Sequence, residues 1–163
     1  MRLVPDAEYL RVMQALTASV RELLWCSVFL IELTPMVDPD LRVPGLLRGL
    51  AAAHWRGIDV RLLIGGSRTN LEIAEDAATA LKVARRLGVP ARWIQSTAVR
   101  GSHIKLVIAD DYVLTGSHNW SPGAFESETQ DSVLAHSPDL AAYLGELFVK
   151  QWQRAHNKKG AAA

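Results

Sequence analysis

Hydrophobic positions recur with two different periods along the first part of the chain. The stretches with helical spacing are residues 5–22, 46–55 and 71–87. Short apolar or alternating runs between them predict strands at residues 23–31, 58–64 and 89–95. Helices that alternate with strands in this way are typical of an α/β protein.

The second part contains two strand-like runs joined by a short turn. Leu106-Val-Ile108 is too apolar for a strand with one face in solvent, so it is predicted to be buried on both faces. Asp110 and Asp111 can turn the chain, and residues 112–115 can return it antiparallel. A strand at 132–135 and a helix at 143–152 complete the pattern. We therefore predict one α/β domain over residues 1–156, a mixed β-sheet flanked by helices on both faces, with a flexible tail at 157–163.

Composition bounds the function only loosely. The 163 residues are 49% hydrophobic and carry a net charge of +1, too small to indicate a nucleic-acid binder by itself. The apolar run 23–31 is far too short to cross a membrane, and residues 1–20 lack the pattern of a secretory signal. Cys26 is the single cysteine, which fits a small core residue in a reducing cytoplasm. We expect a cytoplasmic protein with no stable membrane association.

The hairpin gathers residues suited to phosphoryl transfer. His103 and Lys105 are two positions apart and so lie on one face of a strand. The returning strand delivers Gly116-Ser117-His118-Asn119 beside His103, and Gly116 permits close backbone approach. A neutral imidazole can attack phosphorus, while Lys105, Ser117 and Asn119 can donate hydrogen bonds to the phosphate oxygens. Because no carboxylate cluster accompanies them, lysine is expected to supply the positive charge, without a metal or another cofactor.

These residues resemble the motif of the phospholipase D superfamily: His, any residue, Lys, four residues, Asp, six residues, then Gly-Ser-any-Asn. The matching positions are His103, Lys105, Asp110, Gly116, Ser117 and Asn119. Only five residues separate Asp110 from Gly116, which indicates a turn shortened by one residue. Asp111 could then take the place of Asp110. The resemblance implies a phospholipase D-like fold and a covalent phosphohistidine on His103, with Lys105, Ser117 and Asn119 holding the oxygens.

The resemblance also implies an acidic residue that orients the catalytic histidine shortly before the last strand. The ungapped position falls at Gln130, with Glu128 and Asp131 close by. We select Glu128 as the orienting acid, while Gln130 and Asp131 stay open. A glutamine would orient the ring but would stabilise an imidazolium less than a carboxylate does.

One copy of the motif predicts a homodimer. In this superfamily two histidines face each other, one as nucleophile and one as general acid and base. No second copy of the full motif, with both its His-any-Lys and its Gly-Ser-any-Asn parts, occurs in the chain, so the two copies of His103 are expected to meet across a two-fold axis. His118 is either a general acid within one chain or a variable loop residue.

The resemblance is to the short single-motif bacterial nucleases of the family, so we expect an endonuclease. DNA is the first expected substrate and RNA the second, with Arg100 among the substrate-binding residues. A phospholipid phosphodiesterase or phosphatidyl transferase is the alternative enzyme. A catalytically dead module that binds nucleic acid or phosphate is the alternative of a different class.

Overall fold

A seven-stranded sheet carries the candidate residues in the computed structural model, which describes residues 1–33, 40–67, 69–94 and 102–155. In chain order the elements of this part are β1 (Arg2–Pro5), α1 (Glu8–Ser19), β2 (Leu23–Val28), α2 (Arg42–Trp55), β3 (Asp59–Ile64), α3 (Leu71–Arg86), β4 (Ala91–Trp93), β5 (Lys105–Ala109), β6 (Tyr112–Gly116), α4 (Pro122–Glu126), β7 (Asp131–His136) and α5 (Pro138–Arg154).

The sheet mixes parallel and antiparallel pairs, in the order β1-β7-β6-β5-β2-β3-β4. Strands β2, β3 and β4 are parallel to one another, and β5 returns antiparallel beside β2. Strands β5, β6 and β7 then form an antiparallel meander, to which β1 adds an antiparallel edge. The mixed sheet predicted from the sequence is thus confirmed.

Helices cover both faces because the central strands are apolar on both sides. Leu24, Cys26 and Val28 of β2 point to one face, where they pack with residues of α1, α2, α3 and α4. Trp25, between them, points to the other face and packs with Phe148 of α5, whose ring centroid lies 5.3 Å away. One helix therefore covers the second face in the described part of the chain, and four cover the first.

Several element boundaries differ from the prediction. The helix expected over residues 5–22 begins only at Glu8, because Arg2–Pro5 pairs with β7 as an edge strand and Asp6 turns the chain with a φ of 40°. Helix α2 begins at Arg42, four residues before its apolar repeat. Helix α5 begins at Pro138, since Ser137 caps it by accepting from the Leu140 N–H. The tail expected at 157–163 lies outside the described residues.

Gly116 ends β6 where β6 and β7 approach most closely. A Cβ added there would lie 2.2 Å from the Asp131 carbonyl oxygen and 2.4 Å from the Ser132 Cα. Real Cβ atoms do not come this close to backbone, so only glycine fits. The sequence analysis attributed the glycine to a close backbone approach, and the backbone that approaches is that of β7.

We predict that Gly116→Ala destabilises the protein by at least about 1–3 kcal/mol, because β7 must move to admit the methyl group. Gly45→Ala is the matched control: it lies in α2 with nothing within 4 Å of an added Cβ. That control should stabilise by about 0.5–1 kcal/mol. Urea unfolding of both variants measures this, and equal free energies of unfolding for the two would contradict it.

Candidate active site

The predicted nucleophile lies where β2 and β3 end and β5 begins. Lys105 is the first residue of β5 and lies opposite Val28, the last residue of β2. His103 precedes it by two residues. Phe29 follows β2, and its ring lies 4.5 Å from the His103 ring centroid and 5.0 Å from the Lys105 ammonium. His103 and Lys105 therefore share one face, as predicted, with an aromatic ring beneath them.

Lys105 approaches both nitrogens of the His103 ring. Its Nζ lies 2.9 Å from Nδ1 and 3.1 Å from Nε2, and it donates to the His103 carbonyl oxygen at 3.2 Å. Lys105 is only 7% exposed, whereas His103 is exposed. Partial burial and the Lys105 charge both lower the pKa of His103, and burial lowers the pKa of Lys105. Both effects favour the neutral imidazole, since an imidazolium would be partly desolvated and would face an ammonium.

Ser117 is hydrogen-bonded to Asp131, the first residue of β7. Its N–H donates to the Asp131 carbonyl at 2.9 Å, and its Oγ donates to the same oxygen at 3.2 Å. The Asp131 N–H in turn donates to the Ser117 Oγ at 3.1 Å. Ser117 stays exposed in spite of these bonds, so its hydroxyl remains accessible to a ligand.

Asn119 is brought to the same end of the sheet by the residue that follows it. The Trp120 N–H donates to the Leu30 carbonyl at 3.0 Å, and the Glu32 N–H donates to the Trp120 carbonyl at 2.8 Å. Leu30 adjoins Phe29, which contacts His103. The Oδ1 of Asn119 is buried without a hydrogen-bond partner among the described residues. A buried unpaired oxygen is costly. This oxygen can only accept a hydrogen bond, so the group of Asn119 that could donate to a phosphate oxygen is its amide Nδ2.

His118 points away from the site. Its side chain is fully buried, between an exposed Ser117 and a partly buried Asn119. A general acid must reach the leaving group, so the structure does not support that role for His118 within one chain.

Asp110 is not brought to the site. It follows β5 at the end opposite Lys105, beside Leu23 at the start of β2. Its carboxylate accepts from the N–H groups of Arg21, Glu22 and Leu23 at 2.9, 2.9 and 3.0 Å. The catalytic role expected for Asp110 is therefore replaced by a structural one. Asp111, the substitute considered, lies at the same remote turn.

Glu128 does not contact His103 among the described residues. It is exposed and accepts from the Gln130 Nε2 at 2.6 Å. The Gln130 backbone is bonded to Asp6, through Asp6 N–H to Gln130 O and Gln130 N–H to the Asp6 carboxylate, both at 2.9 Å. Among the residues that the structure describes, then, no carboxylate orients His103, and Lys105 is the side chain whose ammonium contacts its ring.

Arg100, expected to bind substrate, lies outside the described residues. Arg92, a second arginine shortly before the motif, is directed to the other face, where it donates to the Trp152 carbonyl at 2.7 Å and stacks on that ring at 4.4 Å. Among the described residues, Lys105 is thus the basic side chain that lies directly against His103.

Sequence reasoning missed Phe29 and Gly65. A Cβ on Gly65 would lie 2.7 Å from the Phe29 Cα and 3.1 Å from the Ser102 carbonyl oxygen, so glycine lets the end of β3 pack against both. The glycine pair Gly65-Gly66, directly after the predicted strand at residues 58–64, is the signal that could have pointed to this position. Phe29 carried no signal, since it continues an apolar strand.

The described residues include no group of three or more His, Cys, Asp or Glu side chains placed to hold a metal ion. None of their helices is long and apolar enough to cross a membrane. A groove of about 870 Å³ lies at the Asp110 end of the sheet, lined by residues such as Leu23, Trp25 and Gly145. It lies away from His103 and is not the candidate active site.

Comparison with known proteins identifies the family of this chain. A family model described as "Cardiolipin synthase, PLD-like domain" matches residues 13–152. The chain belongs to the phospholipase D superfamily. The matched residues include the whole stretch from His103 to Asn119 that carries the motif.

The phospholipase D fold extends over nearly the whole chain. The structure resembles the phospholipase D family member Nuc from Salmonella typhimurium, with a TM-score of 0.77 and 19% identity, over 98% of this chain and 99% of that one. It also resembles NucT from Helicobacter pylori, with a TM-score of 0.69 and 16% identity, over 94% and 96% of the two chains.

A sequence relative is the mitochondrial cardiolipin hydrolase of Danio rerio, 24% identical over 106 residues, or 65% of this chain. The match spans 44% of that protein's length.

We predict that Lys105→Met raises the pKa of His103, because the substitution removes the cation that disfavours the imidazolium. Titration of the His103 ring by NMR in both proteins measures this shift. Lys82→Met, on α3, is the control for loss of one positive charge elsewhere. An unchanged His103 titration in Lys105→Met would contradict the arrangement.

Asp110 should contribute stability that depends on pH. Partial burial would raise the pKa of its carboxyl, but three backbone donors outweigh burial and hold the pKa below the ordinary value of 3.8. Its contribution is therefore complete above that value and is lost as the pH falls below it.

We expect Asp110→Ala to lower the free energy of unfolding by about 1.5–3 kcal/mol near pH 6, with the difference from wild type shrinking towards about pH 3. Asp111→Ala, at the next and exposed position, should change stability much less. Urea unfolding across this pH range measures both, and a constant difference at all pH values would argue against the carboxylate as the cause.

Proposed function

We propose that the protein is a metal-independent endonuclease that hydrolyses DNA or RNA through a covalent phosphohistidine on His103. The observation that carries the proposal is the contact of the Lys105 ammonium with both His103 ring nitrogens. This contact favours a neutral imidazole, which is the nucleophilic form, and places a fixed positive charge where a bound phosphate would lie.

The reaction proceeds in two displacements. A ring nitrogen of His103 attacks phosphorus, an N–P bond forms, and the P–O bond to the leaving oxygen breaks as a general acid protonates that oxygen. Lys105 then donates to a phosphate oxygen in place of the imidazole, and Ser117 and Asn119 donate to the others. The group that gave its proton to the leaving oxygen now acts as the general base and deprotonates a water molecule. The water attacks phosphorus, and the N–P bond breaks to restore His103.

A second copy of the chain supplies the general acid. The other described histidines are unsuitable: His118 is buried, His54 lies exposed on α2, and His136 ends β7 at the opposite end of the sheet. We therefore place His103 of a second protomer across a two-fold axis as general acid and base. A carboxylate such as Glu128 would have to orient these rings in the dimer, since none of the described carboxylates contacts His103 within one chain.

A nucleic-acid substrate is favoured by overall similarity to Nuc, a chain of nearly the same extent. The buried and unpaired Cys26 fits the cytoplasmic location that such a substrate implies. The Danio rerio relative, named a cardiolipin hydrolase, and the description of the matching family model favour a lipid phosphodiester as the second candidate.

Three acidic residues, Glu32, Asp76 and Glu128, lie close enough for their charges to interact. The pKa of Glu32 is raised mainly by partial burial and further by the charges of Asp76 and Glu128. Their charge would repel a long polyanion there.

We expect the wild type to cleave single-stranded or plasmid DNA, or RNA, in excess EDTA. His103→Ala should lower turnover by at least about 10³-fold because it removes the nucleophile. His54→Ala, an exposed histidine on α2, should retain wild-type turnover. An acid-labile phosphoenzyme that forms in wild type alone would support the covalent step, and wild-type turnover by His103→Ala would refute it.

The shared site can be tested by mixing subunits. If each site needs His103 from both protomers, equal exchange of wild type with His103→Ala leaves about a quarter of the activity of the same total amount of wild type. Independent sites would leave about half. Light scattering should report a dimer at micromolar concentration, and an active monomer would contradict the proposal.

The alternatives give different outcomes in the same assays. Hydrolysis of cardiolipin vesicles by wild type, without cleavage of nucleic acid, would move the substrate to lipid and keep the mechanism. Binding of DNA without turnover of either substrate would identify a dead binding module.

A further inference from the structure

The side chain of His118, in the Gly-Ser-His-Asn loop, makes one stacking contact and two hydrogen bonds. It is fully buried, and its ring stacks on that of Tyr9 in α1 with centroids 4.4 Å apart and planes 13° apart. Its Nδ1 lies 2.8 Å from the Ser132 Oγ in β7, and its Nε2 lies 3.1 Å from the Asp6 carbonyl oxygen. The loop is thereby joined to three separate parts of the fold.

The partners fix which nitrogen carries the proton. A carbonyl oxygen can only accept, so Nε2 must be the donor to Asp6. In the neutral ring Nδ1 is then an acceptor, and the Ser132 hydroxyl donates to it. Burial lowers the pKa of His118, which is consistent with this neutral form.

The residues that contact His118 also contact the chain around its two neighbours, Ser117 and Asn119. Ser132 lies opposite Gly116 in the β6–β7 pair, and Asp131 before it bonds Ser117 through its backbone. After Asn119 in the chain, the indole N–H of Trp120 donates to the hydroxyl of Tyr9 at 3.1 Å, and the ring of the same Tyr9 stacks on His118. A change at His118 would therefore reach both Ser117 and Asn119.

We propose that His118 is a positioning residue: its neutral ring, bonded to Asp6 and Ser132 and stacked on Tyr9, holds Ser117 and Asn119 where they contact substrate. The proposal rests on the proposed function for the roles of Ser117 and Asn119. It concerns a position that the family motif leaves unspecified. His118 acts through its neighbours and does not touch the reacting atoms.

Acid should loosen the loop. A protonated Nδ1 cannot accept from Ser132, so the contact is lost as the pH falls through the pKa of His118, which burial holds below the ordinary histidine value of 6.5. The other titratable groups that face the ring are the carboxylates of Asp6 and Asp131 and the phenol of Tyr9. Burial raises the pKa of Tyr9, which therefore stays neutral across this range.

Hydrogen exchange of the Ser117 and Trp120 amides tests the proposal without any need for turnover. Both amides are hydrogen-bonded, to Asp131 and to Leu30, so their protection reports the loop. We expect His118→Phe, which keeps a stacked ring but no nitrogen, to lose this protection at all pH values. In the wild type, protection should fall on acidification below about pH 6.5.

Further variants separate this from other causes. His118→Gln, whose amide can still donate to Asp6, should retain part of the protection and serves if the Phe variant does not fold. Asp6→Asn and Asp131→Asn should keep the acid response. Phe148→Leu, a core change on the other face of the sheet, should lower the melting temperature and leave both amides protected.

Turnover gives the second readout. With bis(4-nitrophenyl) phosphate in EDTA, His118→Phe should lower kcat on the order of 10²-fold with little change in KM, because donors are displaced from the transition state. Wild-type protection in the His118 variants, or loss of protection with unchanged kcat, would overturn the inference. If the wild type hydrolyses no phosphodiester, the proposed function fails, while amide exchange still decides the role of His118.

Discussion

The positive charge of Lys105 is nearly buried, and the neighbourhood of the site is built around it. Lys105 lies at the start of a strand that apolar residues cover on both faces, so its ammonium has few partners within reach. The ammonium contacts the His103 ring, donates to the His103 carbonyl oxygen and lies over Phe29. The Thr115 hydroxyl donates to the carbonyl oxygen of Lys105 at 2.8 Å. A charge held with so little water acts strongly on its neighbours, which explains how one lysine can keep His103 neutral and still await a phosphate.

The β5–β6 hairpin divides its work between its two ends. At the site end, Lys105 and the Gly116 loop supply the polar groups, and tight packing against β7 fixes the loop. At the other end, Asp110 adopts a φ of 49° and gathers three N–H groups that lead into β2. The hairpin is thus anchored to β7 at the site end and to the start of β2 at the other end, and its chemistry is confined to the site end.

Local patterns in the sequence were sufficient for much of this structure. Alternation and apolar runs located the central strands, and the motif located the His103–Lys105 pair together with the Gly116 loop. What it could not supply depends on pairing between distant residues. Strand β1 forms only because β7 lies beside Arg2–Pro5, and Phe29 matters only because β5 begins next to it. Asp110 fits the motif by spacing, yet its carboxylate is turned to the backbone of residues 21–23.

The two-residue turn at Asp110 and Asp111 has a consequence for how such proteins are found. Ala109 pairs directly with Tyr112, so Asp110 and Asp111 alone form the turn, and we interpret the residue that this chain lacks relative to the family motif as missing from it. Because the turn lies at the end remote from His103, its length can change during evolution without moving the reactive groups. A search pattern with a fixed spacing from Asp to Gly would overlook chains of this kind. A pattern that joins only the His-any-Lys and Gly-Ser-any-Asn parts, with a variable gap, would recover them.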